Sequence, residues 1–424
     1  MNIKKNAIIP IFFTIFLDLL GLGIVIPVLP AVILNPAAGL LPMDYAFAAR
    51  TLIYGFLIAS YPLAQFFGAP ILGTLADRYG RKKLLTVSLL GTMFGYALFA
   101  IGIVTGNIFL LFGGRLLDGF TGGNISIAQS AIADISDETN KSRNFGLIGM
   151  AFGLGFIIGP YIGGKLSDPS IVSWFTFATP FWVAMGLAAF NIALVLIQFP
   201  ETLVHRRNVK ISLTTGFRNL ASAFSMKQFR TLFLVGFLLT VGFNFFTQFF
   251  QVFLIGKFHY TQSNIGDFFA YMGLWIAFAQ GGVLRPLSKK FSPAQILTFS
   301  TILLAVTFPI LLLPDKSVWL YVIVPFIAVF QGITQPNVTT MISNLSGRDK
   351  QGEILGINQS VLSIAQAIPP IVAGIVTSVN LNLPTLFASG ATLLGWLVFV
   401  FVFERKKSTG PLKTVKMTES TEVI

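Results

Sequence analysis

The chain contains no cysteine, two histidines and only 11% charged residues. The absence of cysteine excludes disulfides, iron–sulfur clusters and thiolate chemistry. His205 and His259 lie far apart in the sequence, near the ends of apolar segments, so we expect no histidine metal site. A soluble domain carries about 25% charged residues. The low charged fraction therefore indicates a protein that is not surrounded by water.

Hydrophobic residues replace the missing charges and make up 54% of the 424 residues. They form apolar runs of about 20 residues, the length that spans a bilayer as a helix. The runs predict an all-α integral membrane protein with twelve transmembrane helices, near 7–33, 47–75, 84–104, 107–129, 145–166, 174–199, 230–254, 265–287, 294–313, 318–342, 354–379 and 384–403. The first run is too long for the apolar core of a cleaved signal peptide, so we assign it to the mature protein.

The basic residues are distributed unevenly between the two sides of these predicted helices. The net charge is +13, yet the connections on one side carry few bases, namely Arg50, Lys165, Lys257 and Lys316. Nearly all the others fall on the side of the two termini. By the positive-inside rule we expect both termini in the cytoplasm and the protein in the inner, or cytoplasmic, membrane. The excess charge is then a topology signal, and we expect no nucleic-acid partner.

The chain divides into two pseudo-symmetric six-helix halves, residues 1–199 and 230–404. Gly119-Phe-Thr-Gly-Gly-Asn124 corresponds to Gly332-Ile-Thr-Gln-Pro-Asn337, and Pro160 corresponds to Pro370. Two halves related in this way usually enclose a substrate site at their interface, near the middle of the membrane.

Residues 200–229 form a cytoplasmic linker, and residues 405–424 form a polar cytoplasmic tail that we expect to be disordered. Leu213, Phe217, Leu220 and Phe224 recur at helical spacing within the linker. The spacing is compatible with an amphipathic helix on the membrane surface. A solvated linker with a few apolar residues explains it equally well.

Residues 73–83 place one acid and four bases in a short gap between two apolar segments. We expect a tight turn bounded by glycine and a gating latch formed by Gly73, Asp77, Arg78, Gly80, Arg81 and Asp134. In this hypothesis Arg81 bridges to Asp134, and Asp77 caps a helix N-terminus of the other half, where the helix dipole favours an anion. The alternative is that the bases only set the topology, which is the role we assign to Lys82 and Lys83.

Three charged residues lie well away from the ends of predicted helices, Asp18 in the first and Arg115 and Asp118 in the fourth. A carboxylate at the middle of a membrane costs at least ~2.5–3.5 kcal/mol, which indicates a functional group. We predict that Asp18 couples transport to protons. It could instead pair permanently with Arg115 or face a water-filled mouth. Arg115 and Asp118 are three residues apart, so they share a helix face and can form an ion pair.

The fifth predicted helix carries Gly155, Gly159, Gly163 and Gly164 around Pro160. A glycine at every fourth position allows close helix packing, and proline bends a helix. Packing alone accounts for the glycines.

Amide side chains supply most of the remaining polarity inside the membrane. We expect the substrate cavity to be lined by Gln65, Asn124, Asn244, Gln248, Gln280 and Asn337. Such a wall, with neighbouring aromatic residues, suits an amphipathic, partly aromatic solute and carries little fixed charge.

Several of these motifs together resemble a known family. They are the 73–83 segment, Arg115-Leu-Leu-Asp118-Gly119, and the segment from Gly155 to Gly164. The first is similar to the loop signature of the major facilitator superfamily, and the other two resemble motifs of its drug/proton antiporters. Leu17-Asp18-Leu-Leu-Gly21-Leu-Gly23 and its continuation to Pro30 resemble the first helix of the tetracycline/proton antiporter branch.

The resemblance implies a major facilitator fold that works by alternating access. It implies proton-coupled export of a small amphipathic organic compound, driven by the proton gradient without a cofactor, by a protein that we expect to be a monomer in the lipid bilayer. It also ties Arg115 to proton translocation, and it implies a bent hinge that seals the protein against proton leak, formed by Gly155, Gly159, Pro160, Gly163 and Gly164. A proton-coupled importer or facilitator of a metabolite is the alternative. A membrane sensor or enzyme is more remote, because the sequence has no nucleophile–base set, metal cluster or phosphate loop. Gly95, Ile276 and Leu304 replace ionisable groups of the tetracycline branch, which argues against tetracycline as the substrate.

Overall fold

The computed structural model describes residues 3–136, 141–203, 214–346 and 351–404, and these ranges contain helices and no strand. The helices of the first half and the linker are α1 Ile3–Leu34, α2 Phe47–Tyr79, α3 Arg81–Thr105, α4 Ile108–Thr121, α5 Asn124–Ile135, α6 Lys141–Leu166, α7 Thr179–Gln198 and α8 Thr215–Ser225. Those of the second half are α9 Arg230–Phe258, α10 Gln262–Phe278, α11 Leu284–Lys290, α12 Pro293–Ile310, α13 Val318–Leu345, α14 Gln351–Thr377 and α15 Leu383–Val398. A 3₁₀ turn follows α1, and π-helical segments join α10 to α11 and extend α15 to Glu404.

Twelve membrane spans follow from these helices. Within the described ranges, ten helical segments are long and apolar enough to cross a membrane on their own. The fifth span is α6, with 26 residues. The fourth span is divided into α4 and α5, of 14 and 12 residues. The predicted twelve-helix architecture is confirmed.

The chain between α2 and α3 is shorter than the sequence suggested. The expected turn over 73–83 is wrong, because α2 continues to Tyr79 and α3 begins at Arg81. Gly80 alone reverses the chain, with a φ of 107° that only glycine adopts easily. Gly73 is therefore a helical residue. The reversal places the acid and the bases of this segment on the ends of two helices.

The even number of spans brings Ile3 and Glu404 to the same side of the membrane. We call this side, where α2 meets α3, the basic face, and the other side the opposite face. Helix α1 packs against α6 and α7, and α10 packs against α6. One large apolar core contains residues of both halves, including Leu20, Tyr54, Phe250 and Phe268.

Two close helix contacts join the halves toward the opposite face. In the first seam, Gly55 of α2 lies against the Pro370 carbonyl of α14, and Gly374 lies against Thr51. In the second seam, Gly266 of α10 lies against the Pro160 carbonyl of α6 and against Gly164. The sequence correspondence of Pro160 with Pro370 thus reappears as two equivalent contacts.

Helix α8, within the linker, connects the halves toward the basic face. Gly216 and Phe217 lie against Phe66 of α2, with a Phe217–Phe66 ring distance of 5.2 Å. On the other side, Asn219 Nδ2 donates to Ser360 Oγ of α14 at 3.1 Å. Half of the Phe217 side chain stays exposed, which fits a helix that also meets lipid.

Candidate functional site

The three charged residues predicted inside the membrane lie in the first half and are almost fully buried. Asp18 is 4% exposed, Arg115 4% and Asp118 7%. The Arg115 Cζ lies 4.6 Å from the centroid of the Tyr61 ring, a distance at which a cation and an aromatic face attract each other. On the neighbouring α3, Gly95 packs against Asp118, because a Cβ atom at position 95 would lie 2.9 Å from the Asp118 Cβ.

The break between α4 and α5 lies beside these charges. The carbonyl groups that the break frees are satisfied from neighbouring helices. Gln65 Nε2 donates to the Gly122 carbonyl at 3.1 Å, and Ser88 Oγ donates to the Thr121 carbonyl. Asn124, the first residue of α5, donates from Nδ2 to Asp18 Oδ1 at 3.2 Å. The sequence predicted Asn124 as a cavity residue and missed its bond to Asp18.

Several polar atoms of this cluster have no hydrogen-bond partner within the described part of the chain. They are Asp18 Oδ2, Arg115 Nε and Asn124 Oδ1. The expected Arg115–Asp118 ion pair is not among the ion pairs of the described residues. Unpaired buried polar groups are costly. The cluster is therefore suited to exchange partners when a proton or a solute arrives.

At the basic face, some of the predicted latch residues contact one another. Arg81 forms an ion pair with Asp77 at 2.7 Å and with Asp134 at 3.3 Å. All three residues belong to the first half, so a cap by Asp77 on the second half stays a prediction. Arg78 is exposed and lies over the Tyr79 ring, and Gly73 faces Ser126 at ordinary contact distance.

Glu201 belongs to the same cluster, although it was not predicted from the sequence. Its Oε1 accepts from the Arg81 backbone N–H at 2.8 Å, and its Oε2 accepts from that of Lys82 at 3.3 Å. The carboxylate thus caps the N-terminus of α3, where the helix dipole favours an anion. An acid directly after the sixth span, on a face rich in bases, was the available signal.

The glycines of α6 serve two different contacts. Gly155, Gly159 and Gly163 face α1, where a Cβ atom at Gly159 would lie 2.8 Å from the Gly23 Cα. Gly164 instead faces Gly266 of the second half. Pro160 lies inside α6, and its carbonyl contacts Gly266 as well. One helix therefore packs tightly within its own half and across the interface.

Polar contacts also cross between the halves near the seams. Lys165 Nζ forms an ion pair with Asp267 Oδ2 and donates to Ser263 Oγ, both at 2.8 Å. Tyr54 Oη donates to the Gln248 carbonyl at 2.8 Å and accepts from Gln251 Nε2 at 2.7 Å. Neither pairing could be predicted from the sequence, because both depend on how the halves meet.

The six amides predicted to line a cavity separate into different roles. Gln65 borders a cavity, and Asn124 binds Asp18. Asn244 and Asn337 donate to carbonyls of their own helices, those of Thr240 and Ile333. Gln248 is partly buried and accepts from Tyr54 through its backbone carbonyl, and Gln280 lies in the π-helical segment after α10.

Two neighbouring cavities lie between the halves toward the basic face. One of about 340 Å³ is bounded by α2, α5, α8 and α14 and reaches Asp77, Asn219 and Gln359. The other, of about 210 Å³, reaches the α4–α5 break at Gly122 and Gly123. With both seams in contact near the opposite face, the space between the halves widens toward the basic face.

The sequence matches the profile of the Major Facilitator Superfamily over residues 11–370 and 286–421. The quinolone resistance protein NorA of Staphylococcus aureus (strain MSSA476) is 30% identical over 420 residues, which cover 97% of this chain and 100% of NorA. The tetracycline resistance protein, class C, of Escherichia coli is 29% identical over 382 residues, covering 87% of this chain and 89% of that protein.

Solved structures share the fold at low sequence identity. A D-xylose-proton symporter superposes with a TM-score of 0.73 at 12% identity, over 94% of this chain and 98% of the symporter. The human organic anion transporter MFSD10 (TETRAN) gives 0.69 at 22% identity, over 93% and 99% of the two chains. The profile match, the relatives and the confirmed twelve-span architecture agree. The chain is a multi-pass membrane transporter, not an enzyme, and belongs to the major facilitator superfamily.

Proposed function

We propose that the protein is a proton-coupled antiporter that exports a small amphipathic organic compound by alternating access. The observation that carries the proposal is the buried Asp18 carboxylate, which has one unpartnered oxygen and lies within electrostatic range of Asp118. The two relatives reported above are named for resistance to drugs, which supports an organic compound as the substrate.

The coupling step assigns a function to each buried charge. Asp18 carries the exchanged proton, and Asp118 is a second acid within the same electrostatic environment. Arg115 lies over the Tyr61 ring, within electrostatic range of Asp118 but without an ion pair to it in this structure. When Asp18 is ionised, the cation offsets its charge, and when Asp18 is neutral, Arg115 can turn to Asp118. The solute and the proton then compete for the same cluster of buried charges. Antiport requires such competition.

The gating elements of the proposal lie on the two faces. The seams, which include Pro160 and Gly164, close the opposite face, and Gly155, Gly159 and Gly163 pack the same helix against α1. The Asp77–Arg81–Asp134 cluster is positioned to close the basic face. In this proposal the basic face is cytoplasmic by the positive-inside rule, and the two cavities on that side support a conformation that faces the cytoplasm. We keep the boundaries 1–199, 200–229, 230–404 and 405–424 as the proposed organisation and a monomer as the working unit.

The experiment is substrate-induced proton movement in everted membrane vesicles. A pH-sensitive dye follows an imposed proton gradient while a panel of amphipathic compounds is added. An exported compound should dissipate the gradient with wild-type protein and with Asp44→Asn, which changes an exposed loop acid. Asp18→Asn should be inserted normally and give no signal. Uphill transport by Asp18→Asn would overturn the proposal, and proton movement in the direction of symport would favour the importer.

A further inference from the structure

The contact between Asn124 and Asp18 uses only half of the hydrogen-bonding capacity of the two side chains. Asn124 Nδ2 donates to Asp18 Oδ1 at 3.2 Å. The other two oxygens, Asp18 Oδ2 and Asn124 Oδ1, are buried without a partner among the described residues. Both are acceptors when Asp18 is ionised. Neither can then satisfy the other.

A proton on Asp18 Oδ2 changes this arrangement. A neutral carboxylic acid and a carboxamide each offer one donor and one acceptor on the same edge. Two such groups that already share one hydrogen bond can form a second, from Asp18 Oδ2–H to Asn124 Oδ1. We propose that Asn124 is a positioning residue that binds the protonated form of Asp18 through two reciprocal hydrogen bonds. The inference rests on the proposed role of Asp18 in proton coupling.

The place of Asn124 in the chain connects this pair to a movable element. Asn124 is the first residue of α5, directly after the Gly122–Gly123 break. The smaller cavity is lined by Gly122, Gly123 and Ile125, on both sides of Asn124 in the sequence. When the proton leaves Asp18 Oδ2 for water, Asp18 Oδ2 and Asn124 Oδ1 repel each other and the second hydrogen bond is lost. Asn124 is then held by the Nδ2 bond alone, so α5 can turn more easily relative to α4 at the two glycines.

Among the groups around Asp18, Asn124 is the one that we assign to bind its protonated form. Helix α4 contributes Asp118, and α2 and α3 contribute the hydroxyls of Tyr61 and Tyr96, while Arg115 lies over the Tyr61 ring. Tyr96 Oη donates instead to the Leu17 carbonyl at 3.3 Å. At this level α7 contributes an amide, Asn191, which donates to Thr14 Oγ1 at 2.9 Å. Among the described hydrogen bonds, the carboxyl group of Asp18 has Asn124 as its partner.

The corresponding asparagine of the second half behaves differently. Asn337 follows the same pattern in α13, yet its Nδ2 donates to the Ile333 carbonyl of its own helix at 2.6 Å. Among the described residues, the amide at the position matched by sequence hydrogen-bonds to its own helix and not to an acid. The Asn124–Asp18 pair is a property of the first half and not of the repeat.

Infrared difference spectroscopy on reconstituted protein tests the inference directly. The C=O stretch of a protonated carboxyl group moves to higher wavenumber when the group loses its hydrogen-bond acceptor. The band of Asp18 is assigned by its loss in Asp18→Asn. We expect Asn124→Leu, which keeps the side-chain shape, to move this band upward. Asn191→Leu is the matched control, since Asn191 is also fully buried against α1 and has an unpartnered Oδ1. It should leave the band in place.

Transport gives a second readout. We expect substrate-induced proton release to slow by about tenfold in Asn124→Leu, to recover in part in Asn124→Gln, and to change by less than about twofold in Asn191→Leu. If Asn124→Leu is not inserted into the membrane, Asn124→Ser replaces it, because the serine hydroxyl is too short to make both bonds. An Asp18 band that stays unmoved in an inserted Asn124 variant would overturn the inference alone. A spectrum without any Asp18 band would overturn the proton-coupling proposal and this inference with it.

Discussion

Gly55 of α2 lies so close to the carbonyl group of Pro370 in α14 that a Cβ atom at position 55 would overlap it. The same relationship holds between Gly266 of α10 and Pro160 of α6. In each seam, the two backbones are in direct contact. Closure of the opposite face therefore depends on glycine, which has no side chain, at these positions.

Gly55→Val should favour the conformation in which the opposite face is open. Overpacking of a tight contact costs about 1–3 kcal/mol, which shifts a two-state equilibrium by roughly fivefold to 150-fold. The measurement is labelling of Gln251→Cys by an impermeant maleimide, on a background without native cysteine. Gly186→Val is the control, since a Cβ atom there meets nothing within 4 Å. Equal labelling of both variants would remove the seam from the gating mechanism.

Lys165 and Asp267 should act as a pair across the interface. Lys165→Asp places like charges on the two halves and should reduce transport, whereas the swap Lys165→Asp with Asp267→Lys should restore most of it. Both side chains are partly exposed, so the pair contributes only ~0.2–1 kcal/mol, or a roughly 1.5-fold to fivefold effect on the rate. The transport rates of the wild type and of Lys165→Asp should differ less in 0.5 M salt than in 0.05 M salt. A double variant as slow as the single variant would contradict a direct pairing.

The sequence was sufficient to predict the fold because bilayer length and charge asymmetry leave few arrangements. The boundaries of most helices follow directly from the apolar runs. The 73–83 segment was predicted as a turn because glycine and charges normally end a helix, yet only Gly80 has the required backbone angle. The partners of Asn124, Lys165 and Glu201 could not be predicted, because each joins segments about 100 residues apart or more. Such contacts depend on how the helices pack.

Asp77→Asn should impair transport without weakening substrate binding. The change removes the 2.7 Å ion pair and leaves Arg81 with Asp134 alone. We expect a several-fold lower transport rate at unchanged substrate affinity, because the residue lies outside the buried charge cluster. Binding and transport are measured on the same preparation, with Asp44→Asn as the control. A variant with weaker binding and normal switching would refute the latch.

Overexpression should give little or no resistance to tetracycline, while a more lipophilic or uncharged solute is transported. Gly95, Ile276 and Leu304 offer no ionisable group, and burying the polar groups of a tetracycline–metal chelate without partners costs several kcal/mol, roughly 2–7 per group. The space beside Gly95 is already occupied by Asp118. Gly95→Asp should therefore be tolerated only together with Asp118→Gly. Uncoupler-sensitive tetracycline efflux by wild-type protein would show that tetracycline transport does not require ionisable groups at these three positions.

The duplication of the seam has a consequence for how the transporter is inhibited. Because the two contacts lie on opposite flanks of one interface, a rocking motion that separates Gly55 from Pro370 must also separate Gly266 from Pro160. A single small molecule that enters one of the two seams from the lipid would keep both seams open. Such a compound would act without competing for the solute, and its effect could not be overcome by raising the solute concentration.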